Sequence, residues 1–192
     1  MEPIVTLNEE LANLRVEYAH RCFTNTQELI RFMDQKAGFV LAAVGILSAA
    51  LGTLVTNVFA GNPTTSLQIS LRYAGIAFFL AYLFVGFAVV LVATSVFLAI
   101  PNRLRPDTTA PGLLFPLILL NKYKSHEEMY LRTLCEITPG GILHDYANQI
   151  MEIANIYQAK QKHVNRSIML FRWSSVLWLI TTLLFLAIAV IK

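Results

Sequence analysis

Three stretches of this 192-residue chain carry no charge at all: Ala37 to Leu71, Tyr73 to Asn102 and Trp173 to Ile191. Chains that fold in water have no use for such runs at this length. A hydrocarbon core about 30 Å thick, by contrast, needs roughly 20 apolar residues of helix, which each stretch supplies once its polar ends are trimmed. No water at that depth can satisfy backbone N–H and C=O groups, so each stretch is expected to be a helix. The spans fall near Gly38 to Ala60, Leu71 to Ile100 and Ile168 to Ile191, with the polar turn Gly61-Asn62-Pro63-Thr64-Thr65-Ser66 dividing the first two. A chain that is 56% hydrophobic and 14% charged, with mean hydropathy +0.57, is not an ordinary soluble domain.

The net charge of +3 matters less than where the charges lie. All 12 acids, all 4 histidines and 13 of the 15 Lys and Arg fall in residues 1–36, in residues 101–167 or at Arg172; only Arg72 and Lys192 lie at the opposite ends. Lys and Arg concentrate on the cytoplasmic side of membrane proteins. The N-terminus and the 101–167 segment are therefore expected inside, with a small outer loop and an outer C-terminus. Residues 1–36 hold Glu2, Glu9, Glu10, Glu17, Glu28 and Asp34 beside their basic residues, which is not the pattern of a signal peptide. Cys22 and Cys135 both land on the reducing side and are expected as free thiols.

Thr6 followed by Glu9 is a capping-box pattern, and apolar residues then recur at Leu7, Leu11, Leu14, Tyr18, Cys22, Leu29 and Phe32. This predicts an amphipathic helix that runs unbroken into the first span, a rod of about 80 Å. Gly38, Ala42, Gly45, Ala49 and Gly52 form a small-residue stripe on that span, suited to close helix packing. Its first reading is contact with the second span of the same chain, and its second is a subunit contact or pore lining. The second span ends at Ile100-Pro101, because proline cannot continue the helix. The apolar run Leu113 to Leu120, broken by Pro116, is too short to cross and is expected to be buried or interfacial. Ser125 with Glu128 predicts a short helix to about Ile137, and Thr138-Pro139-Gly140-Gly141 predicts the start of the last helix. That helix carries a seam of Leu143, Ala147, Ile150, Ala154, Tyr157, Gln161, Val164 and Ile168 into the third span. The fold expected is an all-α membrane protein with three transmembrane helices, the first and last extended into a cytoplasmic helical bundle. Its parts are the amphipathic helix 1–36, the membrane hairpin 37–100, the cytoplasmic helical region 101–167 and the third transmembrane helix 168–192.

No span holds an ionisable residue away from its ends, so the usual mark of an ion-coupled transporter or proton relay is missing. The chain has no H-E-x-x-H, P-loop, G-x-S-x-G, C-x-x-C or G-x-G-x-x-G pattern. No catalytic residue, cofactor or metal site is expected. His144-Asp145 lacks the further ligands a metal pair would need, and His20 and His163 read as surface or packing residues. Lys160-Gln161-Lys162-His163 reads as attraction to anionic lipid headgroups near the bilayer.

The segment Leu29-Ile30-Arg31-Phe32-Met33-Asp34-Gln35-Lys36-Ala37-Gly38 leads an amphipathic helix into a small-residue-rich span. In this it resembles the transmembrane effectors of the Pycsar antiphage systems. The rest of the chain follows the same family in order: Ile100-Pro101-Asn102-Arg103, the Leu113–Leu120 run, Ser125 to Tyr130, then Asn148-Gln149-Ile150 through Ile156-Tyr157 to Lys160, and a last span. The resemblance implies a bacterial inner-membrane effector activated by cyclic UMP or cyclic CMP from a partner cyclase. Such an effector impairs the membrane and causes abortive infection, with 1–36 and 101–167 together forming the sensor. A small constitutive channel or transporter subunit, or a lipid-directed enzyme, are the alternatives. A single phosphate needs a cation, and a base needs amides or hydroxyls. Arg31, Lys36 and Arg103 are the candidates for the phosphate, and Asn148, Asn155 and Tyr157 for base and ribose. Asp34 either reads a hydroxyl or pairs with Lys36. A homo-oligomer is expected, since several ligands can then bias one transition.

Overall fold

The computed structural model describes residues 3–59, 65–99 and 126–191; for residues 3–9, 57 and 59 it describes the backbone alone. The turn at 61–64, the Ile100-Pro101 end of the second span, Arg103, the Leu113–Leu120 run, Ser125 and Lys192 lie outside the described residues. Within them the chain is four α-helices: α1 (Pro3–Phe59), α2 (Ser66–Leu98), α3 (Glu127–Glu136) and α4 (Pro139–Val190). α1, α2 and α4 are long and apolar enough to cross a membrane. Only 17%, 22% and 22% of their most apolar windows are buried within the chain, so most of that surface needs lipid.

The helix ends follow local chemistry. α1 already runs through Thr6, so its start lies upstream of the expected capping box. α2 begins five residues before the expected Leu71. Thr65 accepts from the Gln68 amide while Gln68 Oε1 accepts from the Thr65 amide, a reciprocal cap at 3.2 Å in both directions. α3 begins at Glu127 after His126, with no side-chain cap. α4 opens as expected, with the Gly141 amide donating to Thr138 Oγ1 at 3.2 Å and Pro139 in the first turn.

Two compact units divide the chain. The first comprises residues 1–32 and 100–159, and the second residues 33–99 and 160–192. The second holds nearly all of the three charge-free stretches, up to Ala99 in the middle one, and is called the membrane unit. Its core has two clusters. In one, Val40 and Val44 of α1 meet Val89 and Ala93 of α2, with Ile168 and Phe171 of α4 against them. In the other, Leu51 and Val58 meet Tyr82, Phe185 and Ile188. Gly75 is where α2 admits the Phe185 ring, since a Cβ there would meet Phe185 Cε1 at 2.7 Å. Polar groups tie the same helices together. Trp178 Nε1 donates to the Leu47 carbonyl at 2.9 Å, and Ser48 and Tyr82 share a hydrogen bond of 2.8 Å. At one end Arg72 donates to the Val58 carbonyl at 2.8 Å and Gln68 Nε2 to the Ile191 carbonyl at 3.3 Å. Carbonyls left over at the C-terminal ends of α1 and α4 are thereby satisfied from α2.

The covered face of α1 differs from the one its large apolar residues suggested. Leu11, Leu14, Tyr18, Leu29 and Phe32 are exposed, at 42–71%. The less exposed positions are Ala12, Val16, Ala19, Phe23, Thr26, Ile30, Met33, Ala37, Val40 and Val44, alternating by four and three. That is coiled-coil spacing, and several of the residues are small.

Candidate functional site

In the first unit the side-chain contacts gather around Tyr146 of α4. Its hydroxyl hydrogen-bonds His20 Nδ1 at 3.0 Å, and its ring stands edge-on to His20 and Phe23 of α1, with centroids 5.9 and 5.8 Å away. Next to Tyr146 in sequence, and four residues apart, Asp145 and Gln149 are buried at 1% and 6% exposure. Asn148 belongs to the same polar stretch, and its Nδ2 is buried with no hydrogen-bond partner among the described residues. A buried amide donor left open costs about 1–3 kcal/mol unless something accepts from it. Nearby on α1, Leu11, Leu14, Arg15, Tyr18 and Ala19 form with Leu143 an open groove of about 400 Å³. That lies within the roughly 300–1,000 Å³ usual for ligand pockets. Arg15 is its cation and Tyr18 its aromatic. A hydrogen bond with the Cys22 side chain raises the Tyr18 phenol above its usual pKa.

The expected ligand residues divide between the two units. Arg31, Asn148, Asn155 and Tyr157 lie in the first; Asp34 and Lys36 lie in the second. Arg31 and Asn155 are exposed, Asn148 and Tyr157 half-buried. Asp34 has a partner the sequence reading did not name: it accepts from Lys160 Nζ at 2.5 Å, with the lysine side chain 9% exposed and the carboxylate side chain 33%. Asp145, Gln149 and Lys160 are thus central polar groups that sequence reasoning missed as a set. Their signal is there at spacings of four and eleven on one helix face, but it is masked by the apolar seam chosen beside them. Cys22 and Cys135 are free thiols. Among the described residues no three His, Cys, Asp or Glu side chains gather as a metal site.

Among the described residues nothing packs against the glycines of the small-residue stripe. Ala42, Gly45, Ala49 and Gly52 are exposed, and a Cβ built on Gly38, Gly45 or Gly52 meets nothing within 4 Å. The first reading, contact with the second span of the same chain, is therefore corrected. α2 meets α4 at Gly75 and Gly86 and comes near Val44 of α1 at Gly86, and α1 presents its valine and leucine face to α2 instead.

These features define an all-helical membrane protein with three apolar helices and a second compact unit that buries Asp145 and Gln149. Residues 18–189 match the Pycsar effector protein domain, and the chain belongs to that family of antiphage effectors. No characterised protein and no solved structure matches it.

Proposed function

We propose that the chain is switched on by a cyclic pyrimidine nucleotide, cyclic UMP or cyclic CMP, which a partner cyclase makes during phage infection. The activated protein then impairs the inner membrane and brings about abortive infection. The observation that carries this reading is the family match, which runs through both units. Three helices suited to a bilayer support a membrane target, and the Lys and Arg distribution supports a cytoplasmic N-terminus and sensor with the C-terminus outside.

The first unit is the proposed sensor. Arg31 and Arg103 serve the phosphate, and Asn148, Asn155 and Tyr157 the base and ribose. The open Nδ2 of Asn148 would then donate to a carbonyl oxygen of the pyrimidine. Asp34 is left out of the contact set, since its carboxylate is engaged by Lys160. The effector acts as a homo-oligomer and needs no catalytic step. Its assembly surface is the small-residue stripe Gly38, Ala42, Gly45, Ala49 and Gly52, which the protomer leaves open.

A thermal-shift panel of cyclic mononucleotides on the detergent-purified protein tests this. A ligand bound only by the folded state at 100 times its Kd adds about 2.7 kcal/mol of stability. A rise in Tm with cyclic UMP or cyclic CMP, and none with cyclic AMP or cyclic GMP, is expected. No shift with any of the four, together with membrane leakage that needs no nucleotide, would favour a constitutive channel.

A further inference from the structure

The covered face of α4 carries a line of polar residues. Lys160, Ser167, Ser174 and Thr181 follow one another at intervals of seven and are exposed by 8%, 0%, 0% and 0%. Seven residues are two helical turns, so the four share one face. From Lys160 to Thr181 the ladder rises about 30 Å at ~1.5 Å per residue, which matches the thickness of the hydrocarbon core. It passes through the inside of the membrane unit, not along its lipid surface. Beside it, the Ser95 hydroxyl of α2 bonds His163 Nδ1 at 2.8 Å, and Ser48 bonds Tyr82.

Packing alone does not explain the hydroxyls. Ser167 and Thr181 donate back to the Val164 and Leu177 carbonyls, at 2.8 and 2.7 Å. Ser174 Oγ is wholly buried with no hydrogen-bond partner among the described residues, and the same holds for Thr182 Oγ1 next to Thr181. Alanine would fill the Ser174 site without leaving a polar group open in a dry interior. A hydroxyl there is favourable in a state in which it meets water.

We infer that the Ser167–Ser174–Thr181 face of α4 lines the path by which small ions cross the membrane in the activated assembly. The arrangement described here is its closed state, with the face packed inside one protomer. Hydroxyl rings conduct without ionisable groups, because they replace part of an ion's hydration shell without trapping it. Lys160, in the same register at one end, is held in the closed state by Asp34. The inference rests on the activated-effector reading and specifies where that effector conducts.

The test uses the full chain with Cys22→Ser and Cys135→Ser, reconstituted in vesicles of phosphatidylethanolamine and phosphatidylglycerol loaded with potassium chloride. Cyclic UMP and cyclic CMP are added in turn and potassium efflux is recorded. In Ser167→Cys and Ser174→Cys, a charged thiosulfonate reagent should block efflux by about tenfold or more, and only after nucleotide is present. Leu179→Cys and Leu183→Cys, on the exposed side of the same helix, should be indifferent. Ser174→Ala, which keeps the fold and removes the hydroxyl, should conduct more slowly while its nucleotide-induced thermal shift is unchanged. Nucleotide-dependent efflux that the reagent leaves untouched at both serine positions would overturn this inference and leave the effector reading standing. Absence of efflux from the parent protein with either nucleotide would overturn the effector reading, and this inference with it.

Discussion

Lys160 and Asp34 form an ion pair in the membrane unit, and burial sets its weight. Paired charges taken out of water are held by each other, and removing one leaves the other uncompensated at a cost of about 3–5 kcal/mol. Here the Asp34 side chain keeps 33% of its exposure, so water screens part of the interaction. Asp34→Asn, which strands the more deeply buried lysine, should therefore cost about 2–3 kcal/mol. Lys160→Met removes the buried charge along with its need for a partner and should cost less. The reversed pair, Asp34→Lys with Lys160→Asp, should regain a measurable part of the loss. Thermal unfolding of the four proteins in detergent checks this, and a double reversal no better than the two single changes would show that the charges do not act on each other. The sequence reading offered Asp34 a ligand hydroxyl or Lys36 and did not name Lys160, which the fold brings to it. Helical spacing can name partners three or four residues away on one helix, but not a lysine 126 positions away on another.

At the scale of elements, the three apolar helices, the start of α4 and the absence of strands among the described residues were all readable. The 30 Å slab and the capping rules act locally and leave little choice. Which face of each helix turns inward was not readable. Hydrophobicity picked Leu11, Leu14 and Tyr18, but these are exposed, while Ala12, Ala19 and Ala37 lie on the covered face. Close helix approach rewards small residues, so the covered face of α1 is not its most hydrophobic one. The glycines show the same thing from both sides. Gly75→Ala should drive a Cβ into the buried Phe185 ring and cost about 1–3 kcal/mol through overpacking. Gly45→Leu meets nothing in its own protomer, so the Tm of the nucleotide-free protein should fall by less than about 0.5 kcal/mol would produce. If Gly45→Leu melts as early as Gly75→Ala, the stripe belongs to the protomer's own core after all.

At the scale of the whole molecule, one small ligand has to act on a membrane domain. Moving a two-state equilibrium from 1:99 to 99:1 takes about 5.5 kcal/mol of differential binding, which is demanding for a nucleotide with one phosphate and a few amide contacts. In an oligomer that moves as one, the demand is shared among several ligands. The chain has the parts for this. α1 and α4 each contribute residues to both units without a break in the helix, and α1 carries an open small-residue stripe in the membrane unit. Native mass spectrometry in detergent should therefore show a change in subunit number, or in its distribution, when cyclic UMP or cyclic CMP is added. Gly45→Leu should reduce that change while leaving nucleotide affinity intact. In cells that make the nucleotide, the same variant should depolarise the membrane about tenfold more slowly, the effect of about 1.4 kcal/mol of lost association. A protein that stays monomeric with and without nucleotide, yet still depolarises the cell, would show that one protomer suffices and that the stripe faces only lipid.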